Sequence, residues 1–299
     1  MSTLFSHFFQ KINHISPLDN KFTEVLKNIA VMPKMLHYYG KLPENMPKSV
    51  AIVGSRKNTK YGEEVAYKLA YELAKRGVVI VSGLAIGIDS IAHRGALDAG
   101  GVTVAVLGTE IDNIYPHKHK GLAAEIVEKG GAVMSEYPAG AEICPKWSFL
   151  ERNRIISGLS DVVIVVEAAE QSGSLNTAMH ALEQGKELLA VPGNVTNIYS
   201  QGCNKLIKQG AQPCTGVDDV LEILFPAPAK KRKNIVQMAL LGDTEEEKAV
   251  IGMLNKGVRD GEEVVARLKM PVAVFNQTIT MLEIKGVVRS LGANNWCLK

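Results

Sequence analysis

The sequence predicts an α/β protein, a doubly wound and mostly parallel sheet followed by a small helical domain. Three observations carry this. Short β-branched runs alternate with helix-period segments from about residue 49 onward, and such alternation is satisfied by parallel strands with helices on both faces. The alternation stops at "FPAPAKKRKN", residues 225 to 234, where two prolines and four consecutive basic residues intervene. Three short helical periods and two extended runs then close the chain.

In chain order, residues 1 to 47 form an N-terminal lead-in segment. The runs "SVAIVGS", "VVIVSG", "VTVAVLG", "AVMSEY", "DVVIVVEA" and "LLAVPG" are buried-strand candidates. Each ends in Gly, Ser or an acid and leads into a helix. The clearest helix is 61 to 76, where Val65, Leu69 and Leu73 recur every four residues and Gly77 supplies a left-handed cap. The sheet domain spans 48 to 225 and a basic Pro/Ala linker 226 to 242. The linker reading is preferred to a targeting signal because the run separates two periodic regions. The last domain covers 243 to 299. Two of its helices open with capping-box patterns, Thr244 with Glu247 and Asp260 with Glu263. A third helix over 272 to 285 and a hairpin around "GANN" complete a winged-helix pattern.

Composition limits the function. With 299 residues, 46% of them hydrophobic and 22% charged, the chain holds one sizeable domain and a small second one. A net charge of +3 does not announce a nucleic-acid binder, so any electrostatic argument must come from clustering. Cys144, Cys203, Cys214 and Cys297 lack CxxC spacing, which fits a reducing compartment. No basic n-region precedes an apolar run at the start, and no apolar stretch is long enough to span a bilayer. These features predict a cytoplasmic protein with no membrane partner.

The strand ends carry the chemistry, because ligands of such sheets bind beyond the carboxyl ends of the strands. After the first strand, "VGSRKNTKYG" leaves Gly54 bare of a side chain and starts a helix near Asn58 or Thr59. The free N–H groups of that helix form a potential anion site to which Arg56, Lys57 and Lys60 add positive charge, the alternative being a solvated basic turn. "SGLAIGIDSIAHRGAL" repeats the arrangement, with Asp89 expected as a cap and His93 as a packed or surface residue. "DNIYPHKHKGL" adds Lys118 and Lys120. "EAAEQSGSLNTAMHAL" offers the hydroxyl and backbone donors of Ser172, Gly173 and Ser174. Glu136 and Glu167 each end a strand. They could form an acid/base pair, but such acids more often cap helices or hold arginines. No GxGxxG occurs and nothing completes a metal site around His117 and His119, so no cofactor is expected.

"FLERNRIISGL" is expected to open a helix with Arg152 and Arg154 in its first turn, where the macrodipole disfavours cations. Both count as DNA-binding candidates. One of them, Arg154 by preference, is expected to turn inward to Glu136 or Glu167. The other, Arg152 by preference, is expected to face the cleft, where a phosphate would offset the conflict, and the sequence does not fix which is which.

Seven stretches stand here in one order: "VGSR…YG", "SGLAIGIDSIAHRGAL", "IYP", "SEYP", "RNRIISGLSDVVIVVEA", "SGSLNTA" and "AVPG…GCNKLIKQGA". In that order they resemble the DNA-processing protein A family (DprA, also called Smf), over about residues 16 to 224. The tail resembles the winged-helix domain that many members carry. The resemblance implies a Rossmann-like doubly wound mostly parallel sheet with a small C-terminal winged-helix domain. It also implies a cytoplasmic homodimer that binds single-stranded DNA, protects incoming transforming DNA and loads a RecA-type recombinase, without catalysis. Arg56, assisted by the Gly54 and Ser55 backbone, is implied to grip a phosphate, with Lys146 and Phe149 at the pocket rim. Leu150 replaces the proline of the family's FPxRNR, and His119 replaces the asparagine of YPxxN, so no role passes to His119.

Two other classes compete. A nucleotide hydrolase related to the lysine-decarboxylase-like phosphoribohydrolases would carry PGGxGTxxE, where this chain has "SGSLNTAMH" with His180 near the place of the acid. A sequence-specific repressor would need several cations on its recognition helix. "VAVFNQTITMLEIK" has only Lys285, at its end.

Overall fold

The computed structural model describes residues 11–226 and 244–298, the side chains of Pro145 and Lys146 excepted. These fall into two compact units divided after Pro226. The linker expected at 226–242 lies, from residue 227 on, outside the described residues.

The first unit runs β1 (Asn13–Ile15), β2 (Leu36–Gly40), β3 (Ser49–Val53), α1 (Lys60–Ala74), β4 (Val79–Ser82), α2 (Ile88–Asp98), β5 (Thr103–Val106), α3 (Lys120–Glu128) and β6 (Ala132–Ser135). It continues with α4 (Pro145–Gly158), β7 (Val162–Val165), α5 (Ser174–Glu183), β8 (Glu187–Ala190), α6 (Gln201–Lys208), β9 (Gln212–Pro213) and α7 (Val217–Leu224). The sheet order is β1-β2-β6-β5-β4-β3-β7-β8-β9. From β6 to β9 every pair is parallel. The lead-in segment adds β1 and β2 to the β6 edge as antiparallel strands.

The strands are short apolar runs because both faces are covered. Alternate side chains of β3 enter opposite cores, as the two-residue period requires. Ala51 and Val53 pack with Ile155 of α4 and Ala178 of α5. Val50 and Ile52 pack with Leu69 of α1, Ala92 of α2 and Val220 of α7. This is the doubly wound architecture. The chain leaves β3 toward β4 and later resumes at β7 on the other side of β3, so the order reverses at the β3/β7 boundary.

The second unit comprises α8 (Glu245–Asn255), α9 (Gly261–Leu268), α10 (Val272–Ile284) and the hairpin β10 (Val288–Gly292) with β11 (Asn295–Leu298). Thr244 accepts from the Glu247 N–H, and Asp260 from those of Glu262 and Glu263. Phe275, Leu282 and Val288 fill its core with Val250 and Val264.

Candidate functional site

A cleft of about 490 Å³ lies beyond the carboxyl ends of β3 and β7, where the strand order reverses and such folds bind ligands. The turn after β3, the start of α5 and one face of α4 wall it. Gly54, Ser55, Arg56, Lys57, Phe149, Arg152, Ser172 and Gly173 all line it.

The β3 turn is fixed from beneath. The Ser55 N–H donates to Glu167 O at 2.7 Å, and Ser55 Oγ accepts from the Lys57 N–H at 3.0 Å. Glu167 accepts from the Thr59 N–H at 2.8 Å and from its hydroxyl at 2.6 Å, while Thr59 caps α1. Gly87 has φ +86°, and a Cβ there would collide with Ser55 O, so glycine lets the β4 loop close on the β3 turn. Arg56 and Lys57 make no ion pair among the described residues. They supply the unneutralised charge of the cleft. The opposite wall is the N-terminus of α5, capped by Gly173 without a side-chain hydrogen bond, and this end favours anions. Ser172 Oγ and Ser174 Oγ lie 2.8 Å apart at its mouth.

Several expectations need correction. Helix α4 begins at Pro145, a residue suited to the first helical turn, so Arg152 and Arg154 sit mid-helix rather than in the first turn. The dipole conflict expected for them is absent. Arg152 reaches the cleft wall but is 5% exposed, and its guanidinium donates to Gly83 O at 2.8 Å and to Val106 O. Burial lowers its pKa to about 10, partly opposed by Asp89, so it remains a cation at neutral pH whose donors tie β4 to β5. Arg154 donates to both Glu136 oxygens, at 2.7 and 2.8 Å, and to Val31 O at 2.9 Å. It is turned inward to Glu136 and does not line the cleft.

Glu136 and Glu167 are therefore both engaged in structure. Asp89 accepts from the Gly83 N–H at 3.1 Å rather than capping its own helix. Burial raises its pKa while Arg152 and the backbone donors act against that rise. Lys118 lies elsewhere, in a larger depression of about 1150 Å³ across α1, α2 and α3. Lys146 belongs to the first turn of α4, and its side chain lies outside the described residues.

The cleft also holds residues that sequence reasoning missed. Asn153 donates to Asn176 Oδ1 at 3.1 Å, and Thr177, 2% exposed, lines the floor. Asn153 stands between two singled-out arginines, and its spacing from Phe149 already puts both on one helical face.

His93 is fully buried. The Thr103 hydroxyl donates its proton to Ile80 O at 2.7 Å, so the 2.7 Å contact with His93 Nδ1 needs the proton on that nitrogen. Nε2 is then a bare acceptor without a partner among the described residues. Burial drives the His93 pKa from 6.5 to about 3. The folded state thus holds the neutral ring, and stability is fully present above pH 6.5 and lost progressively as pH falls toward 3. His93→Leu should flatten the melting temperature profile between pH 7 and pH 5. An unchanged acid slope would remove His93 as its source.

The chain matches the family described as DNA recombination-mediator protein A over residues 13–225, and the DprA winged helix domain over 237–294. It is 46% identical to protein Smf of Escherichia coli over 217 residues, 72% of this chain and 58% of that protein. It is 42% identical to the DNA processing protein DprA of Bacillus subtilis, covering 72% of each chain. The alignments thus span little more than half the length of the Escherichia coli relative, and 47% of the Mycobacterium tuberculosis proteins. The solved DprA of Streptococcus pneumoniae superposes with a TM-score of 0.63 at 41% identity, covering 72% of this chain and 75% of that one. That of Helicobacter pylori, solved for its single-stranded DNA binding mode, gives 0.64 at 33%, covering 74% and 98%. With the doubly wound sheet and the terminal three-helix hairpin unit in place, these matches establish that the chain belongs to the DNA recombination-mediator protein A family.

Proposed function

We propose that this protein is a non-enzymatic mediator that binds single-stranded DNA in the switch-point cleft, protects incoming DNA during natural transformation and loads a RecA-type recombinase. It acts in the cytoplasm as a homodimer. The observation that carries the reading is the pairing, in one cleft, of unneutralised Arg56 and Lys57 with the half-buried ring of Phe149. Cations hold phosphates, and an aromatic ring takes a base face without regard to sequence. A duplex hides its base faces, so this combination favours single strands. The engagement of Glu136 and Glu167 in the fold supports the non-enzymatic part.

The described residues of the second unit are not needed for this activity. These residues, 244–298, carry Lys248, Lys256, Arg259, Arg267, Lys269, Lys285 and Arg289 against Glu245, Glu246, Glu247, Asp260, Glu262, Glu263 and Glu283. Over these residues the charges cancel and phosphate-driven binding has little to act on, while the basic run Lys230, Lys231, Arg232 and Lys233 precedes them in the chain. The deciding experiment compares single- and double-stranded oligonucleotides of equal length, with nucleotide hydrolysis followed alongside. Preference for single strands without turnover is expected. Hydrolysis with no strand preference would instead identify a nucleotide-processing enzyme.

A further inference from the structure

The ring of Phe149 does not stand free. The Arg56 guanidinium lies over it, 5.7 Å from its centroid, within cation–π range. Behind it, Gly108 packs so closely that a Cβ there would lie 2.6 Å from Phe149 Cδ1. Tyr115 is tilted 54° against it with centroids 5.6 Å apart. Two rings this close cannot admit a flat base between them. They form a stepped ledge, and the more open ring is Tyr115, which is 47% exposed.

A second recess adjoins the cleft and shares Arg56, Phe149 and Arg152 with it, while Ile86, Tyr115 and Pro116 form its far side. Its volume of about 40 Å³ admits a water or two and no base. A ligand there must lie on the rim. Ile86, 41% exposed, and Tyr115 make that rim apolar and aromatic within a basic surround.

We infer that Tyr115, with Ile86, forms a second base subsite that takes the nucleotide next to the one held at Arg56 and Phe149. This rests on the single-strand reading above. The backbone supports it by continuity: two residues beyond Pro116 stands Lys118, at the edge of the depression across α1, α2 and α3. A strand that crosses Tyr115 therefore comes next to a cation that the main cleft does not contain. No sequence preference follows, because every base has a stacking face.

The test measures competition by thymidine monophosphate, a thymidylate dimer and a tetramer against a long labelled strand, at several salt concentrations. Tyr115→Ala should weaken the dimer and tetramer by about 5- to 150-fold, the equivalent of ~1–3 kcal/mol per stacked base. The loss should grow from monophosphate to dimer, with the salt slope held. Tyr115→Phe keeps the ring and should recover most of the affinity. Ile86→Ala, on a different loop, should give a smaller loss of the same kind and decides the matter if Tyr115→Ala fails to fold. Dimer and tetramer affinities equal to wild type in a folded Tyr115→Ala protein overturn the subsite. Arg56→Ala separates the two readings. If it weakens binding while Tyr115→Ala does not, only the subsite falls. If Arg56→Ala has no effect, the cleft itself is not where DNA binds.

Discussion

Arg152→Ala is expected to cost about 3–5 kcal/mol of stability, as removal of one partner from a buried charged network does. The guanidinium satisfies Gly83 O and Val106 O, and its Nε donates to Asn153 Oδ1 at 3.2 Å. Truncation strands all three acceptors beneath the cleft. It also removes the cation that counters the burial of Asp89, so that carboxyl must either protonate or stay charged at high cost. In a domain of this size each kcal/mol corresponds to roughly 2–4 °C, so the melting temperature should drop by about 6–20 °C. Lysine should not rescue it, because one ammonium does not reproduce Nη1 on two carbonyls together with Nε on Asn153. DNA affinity should fall only as far as folded protein is lost. A variant that melts like wild type yet loses affinity and salt dependence would return Arg152 to the phosphate contacts.

That expectation differs from the one the sequence supports, and the reason is local. In "EICPKWSFLERNR" no Ser, Thr, Asp or Asn stands at the true start, where Cys144 caps α4 without a side-chain bond, whereas Ser148 with Glu151 imitates a capping box inside the helix. Without a cap signal the helix is placed too late, and Arg152 acquires an apparent conflict with the dipole. The parallel strands were legible because β3, β4, β5, β6 and β7 are fully buried apolar runs. Neither β1 nor β2 was, since "NHI" is half exposed and gains its ladder only by tertiary pairing. Within the site, Arg56 was legible because a basic residue follows a strand-ending glycine and precedes a capped helix. That Lys118 lines a different depression from Arg56 was not legible, because its location depends on how α3 packs beside α1 and α2, which local pattern does not encode. The inward turn was legible only as a choice between two arginines and two acids, and packing chose Arg154 and Glu136.

Arg56 and Phe149 should separate charge from stacking. Each phosphate neutralised on a single strand contributes roughly −0.7 to the slope of log affinity against log salt. Arg56→Ala should weaken binding and flatten that slope by about 0.7. Phe149→Ala removes a ring and no charge, so it should weaken binding by ~1–3 kcal/mol with the slope nearly unchanged. Because the guanidinium rests on the ring, the two losses should not add. Residues in contact couple by about 0.5–3 kcal/mol, and part of what Phe149 contributes is to hold Arg56 in place. The double variant should therefore bind better than the sum of single losses allows. Phe149 also packs on Gly108, so its melting temperature must be read beside its affinity, and a large drop would assign the ring to the core instead. Equal salt slopes for wild type and a folded Arg56→Ala protein would remove Arg56 from the phosphate site, whatever the loss in affinity.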